Sequence, residues 1–456
     1  MNDTTTIRTE LEDFIQRNGL TYSQLGKNAG LNAGTVSSIL TGNRVMAVDQ
    51  LDRMTSVLEL PSGHFYEQYI QECMIEAVPN WRRIRPLLYN CAELDKLDCI
   101  RQIVQLLLDN LTYSPLLFEV AEDFFQTDKH AAAAILYESV ATSERRQHSE
   151  RLAFCQYRLF TLRLGDNQEL NLRAALQFEP FVDRLDIIDQ LDALKDLANT
   201  YRSLLKWDKV DEVAQEMEHK ATIQLFMPDK LIRKGKEPQK KPIRPLFVYL
   251  TFSNLLRGSV CDARGDYELA LQYTYTYVDL SWVKEKDEET LHWVNLFIGW
   301  AQANIYVAKL LSGDVSVLSD YVSYIEQNTD EILTGLLNIT KAANRFDIDI
   351  DNILRHFEPQ IISYVKQQQQ ATAIYTQQVI SEQIASFFYE IAHYYLSKEL
   401  YLDGFKYLLD SMEKSVIISD ETHILKSVRL FERFREFASH ETESEYQNLL
   451  IEEENK

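Results

Sequence analysis

Residues 21–44, TYSQLGKNAGLNAGTVSSILTGNR, constrain the fold of this chain more tightly than any other stretch. Leu25, Ala29, Leu31, Val36, Ile39 and Leu40 recur at helical spacing, which predicts two short helices closing on a small core. Gly30 falls between them, where a residue tolerant of positive φ is wanted. Asn32 stands where the second helix needs an N-cap, and Gly42 where that helix needs a C-cap. This is the grammar of a helix-turn-helix, whose second helix enters the DNA major groove.

The run Gln24-Leu25-Gly26, Ala29-Gly30-Leu31-Asn32, Thr35-Val36-Ser37, Ile39, Gly42 and Arg44 resembles the Xre/Cro-type repressor family over about residues 7–62. That resemblance implies a DNA-contacting set. Ala33, Gly34, Thr35 and Ser38 would face the bases, and Thr21, Tyr22, Asn43 and Arg44 the phosphates, with Gln24 and Asn32 completing it. None of the four base-facing residues can make a bidentate contact to guanine or adenine. Discrimination would then rest on thymine methyls, single hydroxyl bonds and DNA shape.

Charge argues the other way. The chain carries a formal net charge of −22. In its first 60 residues, five basic side chains (Arg8, Arg17, Lys27, Arg44, Arg53) face seven acidic ones (Asp3, Glu10, Glu12, Asp13, Asp49, Asp52, Glu59). The usual basic footprint of a DNA binder is missing. Either each monomer contacts few phosphates, or a homodimer is needed to reach useful affinity.

Fourteen glycines and ten prolines in 456 residues leave few turns, so the expected class is all-α. Five scattered cysteines without a CxxC spacing suit a reducing cytoplasm. No apolar run is long enough to span a membrane, so no membrane partner is expected. Pro79, Trp81 and Pro86 mark an expected hinge after the head.

Beyond that hinge, four segments fit a helical-hairpin template of large, small and aromatic positions. They are Leu117, Val120-Ala121, Phe124, His130, Ala133, Tyr137; then Leu194, Leu197-Ala198, Tyr201, Trp207, Val210, Ala214. The third is Gly258, Gly265, Tyr267, Ala270, and the fourth is Phe388, Ile391-Ala392, Tyr395, Tyr401, Gly404, Leu408. Small residues are needed where two helices approach closely, and aromatics fill the gap to the next hairpin. This predicts a tetratricopeptide-like right-handed superhelical array over 79–420, after a helix-turn-helix domain at 1–78. C-terminal helices at 421–456 would cap the array or form a dimer seam, using Leu425, Val428, Leu430, Phe431, Phe434 and Phe437. The stretch 226–245 is basic, with seven Lys/Arg against two acids between 229 and 244. It reads as an exposed loop, and VKQQQQATAIYTQQ at 365–378 as the polar face of a long helix.

A head of this type followed by such an array resembles the RRNPP family of quorum-sensing regulators, with phage arbitrium receptors as a divergent branch. The resemblance implies a homodimeric transcription factor, a double-stranded DNA operator, and a short signalling peptide bound by the array.

Stacked hairpins curve so that their first helices line a concave groove. An extended peptide there needs partners for its N–H and C=O groups, and asparagine offers both a donor and an acceptor. Asp192, Lys195, Asn199 and Arg202 lie three or four residues apart and share one helix face. His292, Asn295, Gly299, Gln302 and Tyr306 form a second stripe, and Tyr389 and His393 take the corresponding positions in the last matched hairpin. The peptide-binding set read from these stripes is Lys195, Asn199, Arg202, Asn295, Gln302, Tyr389 and His393. A solvated helix face is the alternative for the first stripe, and a hydrogen-bonded structural pair for Tyr389 and His393.

No HExxH, GxSxG, phosphate-binding glycine loop or Cys/His metal spacing occurs, so neither enzymatic activity nor a cofactor nor a metal is expected. The rival to the regulator reading is a protein-interaction scaffold with a weak or vestigial head.

Overall fold

The computed structural model describes residues 6–75, 80–108, 110–147, 149–165, 167–226, 242–366, 374–418 and 420–454. Every regular element among them is helical, and no strand occurs there. Two compact units divide the chain, residues 1–162 and 163–456.

The first unit opens with α1 (Ile7–Arg17), α2 (Tyr22–Asn28), α3 (Ala33–Leu40), α4 (Val48–Val57) and α5 (Tyr66–Ile70). It continues through α6 (Trp81–Glu93), α7 (Leu97–Leu107), α8 (Ser114–Gln126), α9 (His130–Ser143) and most of α10 (Glu150–Arg163). Ile7, Leu11, Ile15, Leu25, Val36, Ile39, Leu40, Leu51 and Met54 form buried helix faces, as their spacing requires. Tyr69 donates its hydroxyl to the carbonyl of Met46 at 2.7 Å inside this core.

The expected hinge does not form at Pro86, which lies inside α6, one continuous helix with Asn80 as its N-cap. Pro79 falls outside the described residues. What ties α6 to the preceding helices is Asp52 on α4. It accepts from Tyr66 Oη at 2.8 Å and from Asn90 Nδ2 on α6 at 2.9 Å. Residues 79–162 accordingly share the compact unit of residues 1–78.

The second unit comprises α11 (Gln168–Phe178), α12 (Ile187–Ser203), α13 (Trp207–Phe226), α14 (Leu246–Arg264), α15 (Tyr267–Tyr275), α16 (Glu288–Leu311), α17 (Leu318–Gln327) and α18 (Ile332–Phe346). After them come α19 (Asp351–His356), α20 (Glu358–Lys366), α21 (Ile374–Ser397), α22 (Tyr401–Ile417), α23 (Glu421–Phe434) and α24 (His440–Glu454). Helices α12, α14, α16, α18 and α21 pack each against the next, and α21 packs back against α12, so the five form a closed circuit.

Each of the four matched segments is a helical hairpin: α8–α9, α12–α13, α14–α15 and α21–α22. They and α6–α7 share one turn. Asp95, Asp128, Leu205, Gly265 and Glu399 each hold positive φ, from 52° to 77°, two residues before the next helix begins. The residue after each donates its N–H five residues back: Lys96 to Cys91, Lys129 to Phe124, Lys206 to Tyr201, Asp266 to Cys261 and Leu400 to Tyr395. These are Schellman caps, which satisfy the carbonyls a helix end leaves open. Only one uses glycine, which is why glycine spacing conceals the repeat.

The basic stretch at 226–245 lies mostly outside the described residues, as does the middle of 365–378. At the C-terminus, Phe431 stacks on Tyr446 with ring centroids 3.8 Å apart and meets Phe405 at 5.3 Å. Helices α23 and α24 therefore cover the end of the α21–α22 hairpin. Two residues of the expected apolar face depart from it. Leu425 is exposed while its neighbour Ile424 is buried, and Phe437 is exposed on one side and stacked on Tyr401 at 4.2 Å on the other.

Candidate functional site

In the first unit, α2 and α3 are built by their caps. Thr21 and Gln24 form a reciprocal capping box, in which Thr21 N donates to Gln24 Oε1 at 2.8 Å. Asn32 Oδ1 accepts from Thr35 N at 2.7 Å. Gly30 holds φ +65° between the helices, and Gly42 holds φ +78° one position beyond the C-cap, which is Thr41. Gly26 is sterically required, because a Cβ there would lie 2.7 Å from the Leu31 carbonyl oxygen. That close approach sets how α3 crosses α2.

The residues expected to contact DNA occupy an accessible face of this pair. Thr21, Tyr22, Gln24, Asn32, Ala33, Gly34, Asn43 and Arg44 are exposed, and Thr35 and Ser38 are half-exposed. Local bonds narrow what several of them can offer. Gln24 Oε1 and Asn32 Oδ1 are spent on caps, and Ser38 Oγ donates to the Gly34 carbonyl at 2.8 Å. Asn43 Nδ2 donates to Thr41 Oγ1 at 3.0 Å. Arg44 forms no ion pair among the described residues, so its guanidinium is free to meet an anion.

In the second unit the peptide set divides. On α12, Asp192 does not share the open face expected for it. It is buried and accepts from the Tyr249 hydroxyl, and burial raises its carboxyl above the ordinary range against that bond. Lys195 is half-buried and paired with the adjacent Asp196 at 2.8 Å. Asn199 and Arg202 are half-exposed.

On α16 the stripe is open. His292, Asn295 and Gln302 are exposed, interleaved with Leu291 at 42% and Ile298 at 43% exposure. A Cβ built on Gly299 would meet nothing within 4 Å. Tyr306 leaves the stripe by stacking on Tyr321 at 5.5 Å. An alternation of amide and aliphatic side chains along one face can pair a peptide backbone and bury its side chains together.

Tyr389 and His393 are half-buried beside Glu390 and Arg433, and no hydrogen bond joins them. Burial lowers the His393 imidazole below its ordinary value.

Elsewhere in this unit, residues from four helices and one connector lie within electrostatic reach of one another, pair by pair, and sequence spacing gave no sign of it. Tyr277, buried after α15, accepts from Asn304 Nδ2 of α16 at 2.9 Å. Asp262 of α14 and Arg202 of α12 both lie within electrostatic reach of that phenol. Lys341 of α18 lies within reach of Asp262. Asp262 Oδ1 is buried and has no hydrogen-bond partner. Desolvation by burial raises its carboxyl to about 7, against the pull of Lys341.

A further arrangement resembles hydrolytic machinery in its distances. Ser386 Oγ lies 2.6 Å from His423 Nε2, and His423 Nδ1 lies 2.8 Å from Asp420 Oδ2. Yet Ser386 sits mid-helix on α21, buried, with its Oγ also 2.8 Å from Glu382 Oε1. The neighbouring backbone N–H groups belong to the helix and cannot stabilise an oxyanion. The chain Asp420–His423–Ser386–Glu382 joins α23 to α21. Burial works against the Asp420 carboxylate, but its bonds from His423 hold it below the ordinary range.

Among the described residues, no group of three or more His, Cys, Asp or Glu side chains is placed to hold a metal ion. No helix there is long and apolar enough to cross a membrane. The five cysteines are free thiols, four of them buried.

No protein-family model matches the chain, and no curated protein matches it. Among solved structures, a circular tandem repeat protein with novel repeat topology and enhanced subunit contact surfaces aligns with 98% of this chain and 89% of its own. Identity is 12% and the TM-score 0.12, a superposition too poor to carry an argument.

Proposed function

We propose that this chain is a DNA-binding regulator whose helical hairpins take a short peptide. The observation that carries the DNA half is the exposed face of α2 and α3. There, two helices crossing at Gly26 present Ala33, Gly34, Thr35 and Ser38 with unpaired Arg44 beside them. A helix so small-sided can lie deep in a major groove. Xre-type membership of the head and tetratricopeptide character of the hairpins belong to this proposal.

For the peptide half, the support is the open α16 stripe of Asn295 and Gln302 set among Leu291 and Ile298. Asn199, Arg202 and Lys195 on α12, with Tyr389 and His393 on α21, extend the candidate surface. The regulator acts as a homodimer, and peptide binding changes its operator affinity. A tenfold change requires the peptide to distinguish two states by about 1.4 kcal/mol.

The test is selection of the full chain against random double-stranded DNA in low salt, followed by titration of two variants. Arg44→Ala should weaken every sequence alike, whereas Ser38→Ala should act only at particular base pairs. A shallow dependence of affinity on salt is expected, because few phosphates are neutralised. Unchanged affinity of Arg44→Ala sinks the assignment. The scaffold reading draws on the acidic balance of the first 60 residues, and an absence of DNA binding in low salt would favour it.

A further inference from the structure

The contacts around Tyr277 say more about the ligand than the open stripe does. A carboxylate oxygen shut off from water and left without a partner is costly. Asp262 Oδ1 is in that position. The attraction of Lys341 does not relieve it, since Lys341 forms no ion pair with it. Arg202 lies within electrostatic reach of Tyr277 and forms no ion pair with Asp262. Lys341 and Arg202 are half-exposed and keep water of their own, so the unmet demand lies on the acid. The Asp262 residue as a whole is half-buried and keeps a share of exposed surface.

We propose that Asp262 is the docking point for a cationic nitrogen of the bound peptide, either its terminal ammonium or a basic side chain. The hydrogen-bonded pair of Asn304 and Tyr277 lies within electrostatic reach of that point. The inference rests on the peptide reading and adds to it a requirement on the ligand's charge. Aliphatic and amide positions on α16 place no such requirement on the ligand's charge. A carboxyl held half-protonated near neutral pH by burial gives up its proton when a cation arrives, because the incoming charge stabilises the carboxylate. Binding therefore releases protons to the buffer.

The experiment uses the full chain and pools of random hexapeptides with free amino termini. Matched pools carry an acetylated terminus, or norleucine and citrulline in place of lysine and arginine. Thermal shift ranks the pools, and the best single sequence goes to calorimetry at pH 7 in phosphate and in Tris. A preference of roughly tenfold for the charged form is expected, as for a charge-assisted bond. Acetylation removing that preference identifies the terminus as the cation, and side-chain neutralisation removing it identifies a basic residue. The apparent binding enthalpy should differ between the two buffers, by the proton released.

Asp262→Asn keeps the shape and removes the charge. It should be as stable as the parent or more so, and should lose both the preference and the buffer dependence. Neutral pools binding as tightly as charged ones, or Asp262→Asn binding unchanged, overturns the inference while leaving the peptide reading standing. No pool of any kind shifting the melting temperature overturns the peptide reading and the inference with it.

Discussion

Leu205 is a branched side chain holding φ 53° in a turn that Gly265 occupies without strain elsewhere. A left-handed conformation costs an L-residue about 1–2 kcal/mol, and glycine avoids that cost while losing more entropy on folding. Leu205→Gly should therefore raise stability by up to ~1 kcal/mol, read as a shifted urea midpoint with unchanged slope. A lower midpoint would mean that the leucine side chain packs well enough to outweigh its backbone. Asp262 makes a second prediction at this scale. Its carboxyl is raised in the fold, so the native chain binds that proton more tightly than the unfolded chain between about pH 4 and 7. Its contribution to stability falls as pH rises through that window and stays lost above it. Replacing Asp262 with Asn should remove this slope from a plot of melting temperature against pH.

Helix packing separates two glycines that look alike in the sequence. On α22, a Cβ at Gly404 would lie 2.6 Å from Leu396 Cγ and 3.0 Å from its backbone nitrogen. On α16, Gly299 faces open space. Gly404→Ala forces α22 away from α21 and should cost about 1–3 kcal/mol, the usual range for overpacking. Gly299→Ala meets nothing and gains helix propensity, so it should stabilise by about 0.5–1 kcal/mol. Thermal melts of the two variants should thus move in opposite directions. Agreement in sign would show that the α21–α22 contact relaxes freely.

For the whole molecule, removing residues from 421 onward strips Phe431 and Tyr446 from the aromatic cluster that closes on Phe405. Truncation of one large buried ring costs about 3–5 kcal/mol, and this deletion removes several. The shortened chain should melt well below the parent and bind a dye that detects exposed apolar surface. Parent-like melting would show that α23 and α24 ride on the unit without supporting it. The homodimer belongs to this scale too. Sedimentation of the intact chain at micromolar concentration should give twice its 53.1 kDa mass, and a monomer would defeat that part of the proposal.

Periodicity and caps determined which segments are helical, because both act within a few residues. Leu25, Val36 and Ile39 had to turn inward together, Asn32 had to begin α3, and Gly30 had to hold the turn before it. The four matched hairpins were legible for the same reason: their small and aromatic positions describe one helix meeting the next. Burial across distant helices was not legible. The spacing of Asp192 placed it on an open face, yet Tyr249, 57 residues on, covers it. Pro86 read as a hinge, but it sits inside α6, which Asn90 holds to Asp52 across 38 residues. Nothing local in Tyr277 or Asn304 foretold their bond, and Ser386 finds His423 only because α23 folds back on α21. Helical phase is set by backbone geometry within a turn or two. Which polar groups are stripped of water depends on how whole helices pack, and only the tertiary structure decided that.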